Sequence, residues 1–457
     1  MGTRPAAGRR QTCEDGFRAG TAPGGLPLLG HAAALLRDPL GWMASLPRHG
    51  DLVEMRIGLA RVFVPCHPEL VHRLLVEDRT FDRGGPVYER LRDVLGDSLS
   101  TCPHARHRAQ RRMLQPAFRT ERLEVYAEAV GKAVTAVTAE WTHGRGIELT
   151  PALYEMSLSS TMAAMFGTHT ATASVEELRR AISEVMRGIY LRAASPLRLD
   201  RLLFTAGRRF DRAHTVLAGA MDQVVARRRA AGTGPGDALN ALMTAHGLTD
   251  TERREHCAGL LIAGSETSPA ALAWAVVLLA RHPDVERRLH AEADRVLGGR
   301  TARWEDLPRL TLTRRVVKET LRLYPPAWMT TRVAATDVEV AGTLVPRGST
   351  LMFCPYMVHR NPAVFDHPDD FRPDRWTPDY ERGLPRGAYV PFGGGAHLCI
   401  GNQVGTVFTE LALATLAGRW QLTPEPCADL RPSPRAAIMH PRRLDVRLQE
   451  RSAPRTD

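Results

Sequence analysis

Residues Pro391-Phe392-Gly393-Gly394-Gly395-Ala396-His397-Leu398-Cys399-Ile400-Gly401 set one cysteine in a glycine-rich loop, directly ahead of a run of small and apolar residues, Ile400 through Ala417, of helical composition. A sulfur at a helix N-terminus faces unpaired backbone N–H groups and the positive end of the helix dipole, which favours its thiolate. Glycines let backbone approach a flat ligand closely and permit positive-φ turns. Phe392 supplies an apolar wall, and His397 a polar or cationic contact two residues before the sulfur. A lone cysteine is more often a buried structural residue. The spacing Phe-x-x-Gly-x-His-x-Cys-x-Gly instead suits a thiolate ligand to haem iron.

The chain has 457 residues, 44% of them hydrophobic, ample for a large core. Lys+Arg 61 against Asp+Glu 50 gives +11, and Lys132 and Lys318 are the only lysines. Such a balance fits nucleic acid, a membrane surface or an acidic protein partner. No aromatic-interleaved basic stripe and no nucleic-acid motif is present, so an acidic electron-transfer protein is the most economical partner. The seven cysteines, Cys13, Cys66, Cys102, Cys257, Cys354, Cys399 and Cys427, are scattered and lack C-x-x-C spacing. They form neither a disulfide framework nor a zinc site, which fits a reducing cytoplasm. The first twenty residues carry Arg4, Arg9, Arg10 and Arg18 and no apolar stretch, so no signal peptide is expected. The longest uninterrupted apolar run, Ala270 to Ala280, falls short of the ~18 residues of a membrane helix. These features together predict a soluble, cytoplasmic monomer with no membrane anchor and no nucleic-acid partner.

Residues 1–20 read as a flexible tail and 21–457 as one domain. Asp51 to Pro65 alternates around Gly58 as a hairpin does. Helical patterns then dominate to Leu323, including a long apolar helix over roughly Asp250 to Arg281. Val338-Glu339-Val340 and Leu344-Val345-Pro346 read as short strands, and 361–390 as irregular coil. The fold class is mainly α with small β-sheets.

Three further motifs carry chemistry. Glu319 and Arg322 stand i, i+3 on one helix face, and the helix ends at Leu323-Tyr324-Pro325-Pro326. An isolated Glu-x-x-Arg is often only a surface pair. Here Phe371-Arg372-Pro373-Asp374-Arg375-Trp376 follows in the coil, and Arg375 is placed to bridge back to Glu319. Ala263-Gly264-Ser265-Glu266-Thr267 puts an acid and a hydroxyl inside the long helix, where threonine bonds a preceding carbonyl and Gly264 eases opening of the ladder. Glu266 and Thr267 are candidates for relaying protons to a bound ligand; read alone, the same residues also describe a tolerated kink. His107 and Arg111, i, i+4 in a basic helix, are candidates to pair with haem propionates, as is Arg332.

In order and spacing these motifs resemble the cytochrome P-450 superfamily over about residues 21 to 450. The resemblance implies a single triangular, mainly α fold holding haem b between the long helix and the helix after Cys399. It implies Cys399 as the axial thiolate, Glu266 and Thr267 as the acid–alcohol pair, and Glu319, Arg322 and Arg375 as a structural triad. His107, Arg111, Arg332 and His397 become propionate contacts, with Phe392 beside the haem. His397 replaces the commoner arginine, and His104 stands where many members carry tryptophan. Gly50-Asp51-Leu52-Val53-Glu54, Arg79 to Pro86, Thr101-Cys102-Pro103-His104 and Arg386 to Val390 further resemble actinobacterial sesquiterpene oxidases of the pentalenene oxygenase type. That implies a monooxygenase of secondary metabolism, including antibiotic biosynthesis, oxidising an apolar terpene hydrocarbon with dioxygen. Electrons come from outside, since no flavin or iron–sulfur motif is visible; a ferredoxin and its reductase are implied. A polyketide or fatty-acid monooxygenase, and a non-catalytic haem-thiolate sensor, are the competing readings. Val87, Leu91, Leu95, Ile262, Ala263, Trp328 and Met329 are the candidate substrate-pocket residues.

Overall fold

The longest element begins at a capping box. The Thr249 hydroxyl accepts the Glu252 N–H at 3.2 Å, and the Glu252 carboxylate accepts the Thr249 N–H at 2.9 Å. Two N–H groups that a helix start leaves unpaired are thereby satisfied. The helix runs Asp250–Arg281, the expected span, and stops because Pro283 pushes His282 out of helical geometry. In the computed structural model, which describes residues 11–12, 16–167, 174–194, 204–232, 234, 236–433 and 438–451, this helix packs against Leu149–Phe166, Phe204–Ala231, Thr311–Leu323 and Asn402–Arg419. Its mean hydropathy and length suffice for a membrane span, which a count of uninterrupted apolar residues misses, yet most of that stretch is buried inside the protein.

The long helix serves two apolar cores. Its first half gives Cys257, Leu261 and Ile262 to a helical core with Leu158, Met162, Val185 and Met221. Its second half gives Leu272, Trp274 and Val277 to a core shared with Phe63, Val316, Leu351 and Phe408. Trp274 also stacks on Tyr324 at 3.8 Å and donates to the Met439 carbonyl at 3.0 Å. Residues 263–270 belong to neither core, and there a cavity opens.

A seven-stranded sheet closes one side, in the order Gln11–Thr12, Arg18–Thr21, Leu52–Ile57, Ala60–Pro65, Thr350–Phe353, Thr330–Ala334 and Phe81–Asp82. The expected hairpin is Leu52–Ile57 paired with Ala60–Pro65, and Val338–Val340 pairs with Thr343–Val345. Of the expected 1–20 tail, residues 1–10 and 13–15 lie outside the described residues. Arg18–Thr21 pairs in parallel with Leu52–Ile57, so the sheet begins inside the segment expected to be tail.

Beneath the sheet and helices a buried ion network ties the coil down. The Glu319 carboxylate accepts from Arg322 Nε at 2.9 Å and Nη2 at 2.8 Å, Arg375 Nε at 3.0 Å, the Arg372 N–H at 2.9 Å and Trp376 Nε1 at 2.8 Å. Arg322 spends its remaining donors on the carbonyls of His359, Pro368 and Asp370. All five guanidinium N–H groups are used, and both Glu319 and Arg322 are fully buried. The expected bridge from Arg375 is present; the indole of Trp376 joins it. Removing one partner of such a network strands buried charge, at a cost of ~3–5 kcal/mol. Glu319→Ala is therefore expected to lower the melting temperature steeply and to yield protein with little haem. Parental melting and haem content in the variant would show the network to be dispensable.

Candidate functional site

The cavity lies between the long helix, the Phe392–Cys399 loop and the helix Asn402–Arg419 that follows. Ala263, Gly264 and Thr267 face it from one side, and Phe392, His397 and Cys399 from the other. The loop is held by close backbone approach. Gly395 has φ +62°, and a Cβ there would stand 2.0 Å from the Leu75 carbonyl oxygen, so only glycine fits. The Cys399 N–H donates to the Phe392 carbonyl at 3.0 Å, which folds the loop back beneath the sulfur.

Burial raises the Cys399 thiol above its ordinary value, outweighing the Gly401 N–H, Arg111 and Arg83, which lower it. A metal ion on the sulfur would favour the thiolate.

At one edge of the cavity, Arg83, Arg332, His397 and the phenol of Tyr88 converge, with His107 directly behind, its ring 4.0 Å from that of His397. Among the described residues, no aspartate or glutamate lines the cavity. Both ring nitrogens of His397, Nε2 of His107 and Nε of Arg83 have no hydrogen-bond partner among the described residues. Burial, with Arg83 next, pushes His107 down to about 4 and His397 down to about 2. Burial raises the Tyr88 phenol, yet Arg332 and Arg83 outweigh it and leave it below its ordinary value. Buried donors without acceptors are costly, so this edge is complementary to an anion. A flat apolar group carrying two carboxylates fits it, with the carboxylates at this edge and the sulfur below.

The propionate candidates divide. Arg332, on strand Thr330–Ala334, and His397 face the cavity. Arg111 does not line it; its guanidinium donates to the Leu398 and Ala396 carbonyls of the cysteine loop. His104 is turned away and pairs with Asp78 at 2.9 Å. Arg83, absent from the sequence-based candidates, takes a place at the cavity edge and donates to the Leu99 carbonyl. An isolated loop arginine has no periodic signal by which to find it.

Glu266 and Thr267 face different ways. Thr267 lines the cavity, its hydroxyl donating to the Ala263 carbonyl at 3.0 Å. Glu266 lies behind, fully enclosed, accepting from the Tyr154 phenol at 3.2 Å. Burial pushes the Glu266 carboxyl up to about 7, against the Tyr154 hydrogen bond and Arg179. Gly264 is there for packing, since a Cβ would come within 2.9 Å of Thr161 Oγ1 on the crossing helix Leu149–Phe166. The helix stays unbroken through this segment.

Among the substrate-pocket candidates, Ala263 lines the cavity, and Val87, Leu91, Leu95, Ile262, Trp328 and Met329 do not. Leu95 and Ile262 pack in the helical core, with Leu91 against it. Trp328 is buried in the other core, and Met329 packs against that one. Tyr88, one residue beyond Val87, faces the cavity instead.

The family model for cytochrome P450 matches residues 22–448. The chain is 43% identical over 430 residues to cyclooctatin synthase of Streptomyces melanosporofaciens, covering 92% of this chain and 94% of that one. It is 41% identical over 441 residues to pentalenene oxygenase of Streptomyces avermitilis, covering 95% and 98%. The crystal structure of the cytochrome P450DA heme domain superposes with a TM-score of 0.85 at 25% identity, over 96% of this chain and 99% of that one. The family match covers nearly the whole chain, and the chain belongs to the cytochrome P450 family, oxidoreductase monooxygenases whose cofactor is haem b.

Proposed function

We propose that this protein is a monooxygenase of an apolar polycyclic terpene, with Cys399 as the axial ligand of its haem. The observation that carries this reading is the cavity: one cysteine on one wall, a small-residue helix opposite, a cationic edge with no acid among the described residues, and otherwise mostly apolar surface. Support for the substrate class comes from relatives that oxidise terpenoids and match more than nine-tenths of the chain. Ferredoxin is the proposed electron donor.

When bound, the haem supplies dioxygen activation. The chain's own residues do the rest. Arg332 and Arg83 would neutralise the propionates and His397 would donate to them, with His107 packed behind His397. Ala263 leaves room beside the helix, and Gly264 lets the crossing helix approach it closely. Thr267 holds a hydroxyl at the cavity wall, and Glu266, half-protonated near neutral pH, is the proton reserve behind it. The apolar wall orients a hydrocarbon without polar handles.

Glu266 gives a test on stability. Its folded-state value of about 7 lies above the ordinary carboxylate value of 4.5. Between those values the native state holds a proton the unfolded chain has released, so stability falls as pH rises through the window. The full shift corresponds to about 3 kcal/mol. Glu266→Gln is expected to melt above the parent at about pH 8 and close to it at about pH 5. A constant difference across that range would place Glu266 in a solvated environment. The substrate reading is tested by spectral titration. Tricyclic sesquiterpene hydrocarbons are expected to convert the haem to high spin, whereas fatty acids, whose carboxylate lacks a free cationic partner, bind poorly. Strong shifts with fatty acids alone contradict the terpene reading and leave the monooxygenase assignment in place.

A further inference from the structure

His359 has no part in the site as described, yet it is fully buried and both its ring nitrogens are engaged. Nε2 accepts the Val390 N–H at 2.9 Å. That fixes the tautomer, so Nδ1 carries the proton and donates to the Arg322 carbonyl at 3.2 Å. Arg322 returns the contact, its Nη1 donating to the His359 carbonyl at 3.0 Å. The imidazole therefore spans the gap between the buried ion network and the residue just before Pro391.

From Val390 the hydrogen bonds continue toward the sulfur. The Val390 carbonyl accepts the Gly393 N–H at 3.0 Å, and the Phe392 carbonyl accepts the Cys399 N–H at 3.0 Å. Tyr389 packs its ring on His359 at 5.3 Å and on Trp376 at 4.6 Å, which closes the sides. Only a neutral imidazole can accept from Val390. Burial, with Arg322 beside it, keeps His359 neutral, pushing it down to about 3.

We propose that His359 is a positioning residue for the Cys399 ligand, transmitting the rigidity of the Glu319–Arg322 network to the entry of the cysteine loop through the Val390 N–H. This rests on the reading of Cys399 as the haem ligand. An unanchored loop entry lets the sulfur drift from the iron, and a small displacement is enough to exchange a thiolate ligand for a protonated or absent one. The residue touches neither haem nor substrate, so its effect is on ligation rather than on binding.

Two substitutions separate positioning from simple support, measured on the full-length, haem-loaded protein. In His359→Gln the amide spans the same two partners, accepting from Val390 while donating to Arg322. In His359→Asn the shorter amide reaches the Arg322 side alone. The readouts are the fraction of the reduced carbon monoxide complex showing the red-shifted Soret band of thiolate ligation, and the haem reduction potential. His359→Gln is expected to keep most of that band. His359→Asn is expected to lose it several-fold and to shift the potential. Equal behaviour of the two variants, whether both stay like the parent or both fail to hold haem, overturns the proposal. Failure of the parent protein to show the band overturns the ligand assignment instead, and Cys399→Ser gives the reference spectrum for that case.

Discussion

The guanidinium of Arg322, enclosed by protein on every side with all five N–H groups satisfied, is the interaction from which the rest of the structure is organised. Glu319 neutralises it from one turn earlier on the same helix, and three carbonyls of the coil complete it. A buried pair of this kind contributes little net stability compared with apolar packing. Its consequence is geometric. The coil from His359 to Trp376 has no ladder of its own, and it is placed because it supplies the acceptors and donors that a buried ion pair cannot do without. The cysteine loop follows that coil after the short helix Pro378–Gly383.

Loop and long helix then face each other across the segment where the helix passes from one apolar core to the other. A helix packed on all sides has no preferred solvent face, and this one is committed to different neighbours along its two halves. The eight residues between, 263–270, are mostly small or hydroxyl-bearing, and they leave a slot rather than a contact. Its edge gathers Arg83 and Arg332 with ring nitrogens of His107 and His397 that find no partner among the described residues. An anionic group in the slot would give those buried nitrogens their partners and so couple cofactor affinity to fold stability there.

Much of this was legible in the amino-acid order, and the limits have physical causes. The approximate span of the long helix was readable from its apolar run and the break at His282-Pro283, whereas the Thr249–Glu252 capping box that starts it emerged only in the structure. The Glu319, Arg322 and Arg375 network was readable because two charges at i, i+3 were followed by a matching arginine in coil. Direction was not readable. Leu95 and Trp328 are close in sequence to residues of the slot, but each turns into a core, and nothing in local periodicity separates the two outcomes. Arg111 was placed on the correct helix, yet loop carbonyls compete for its guanidinium. Arg83, Tyr88, Tyr154 and His359 act through partners tens to hundreds of residues away and follow no repeat. Glu266 and Thr267, adjacent in the chain, sit about a hundred degrees apart around the helix, so one faces the slot and the other faces Tyr154.

The central claim is that Cys399 alone supplies the ligand. Among the described residues, Cys66, Cys102, Cys257 and Cys354 are buried and Cys427 is exposed, and none of these five lines the slot. The most direct measurement is the Soret band of the reduced carbon monoxide complex in Cys399→Ser, beside Cys102→Ser as the control. The account predicts the red-shifted thiolate band in the parent and in Cys102→Ser, and its complete loss in Cys399→Ser. A parental band in Cys399→Ser would contradict it.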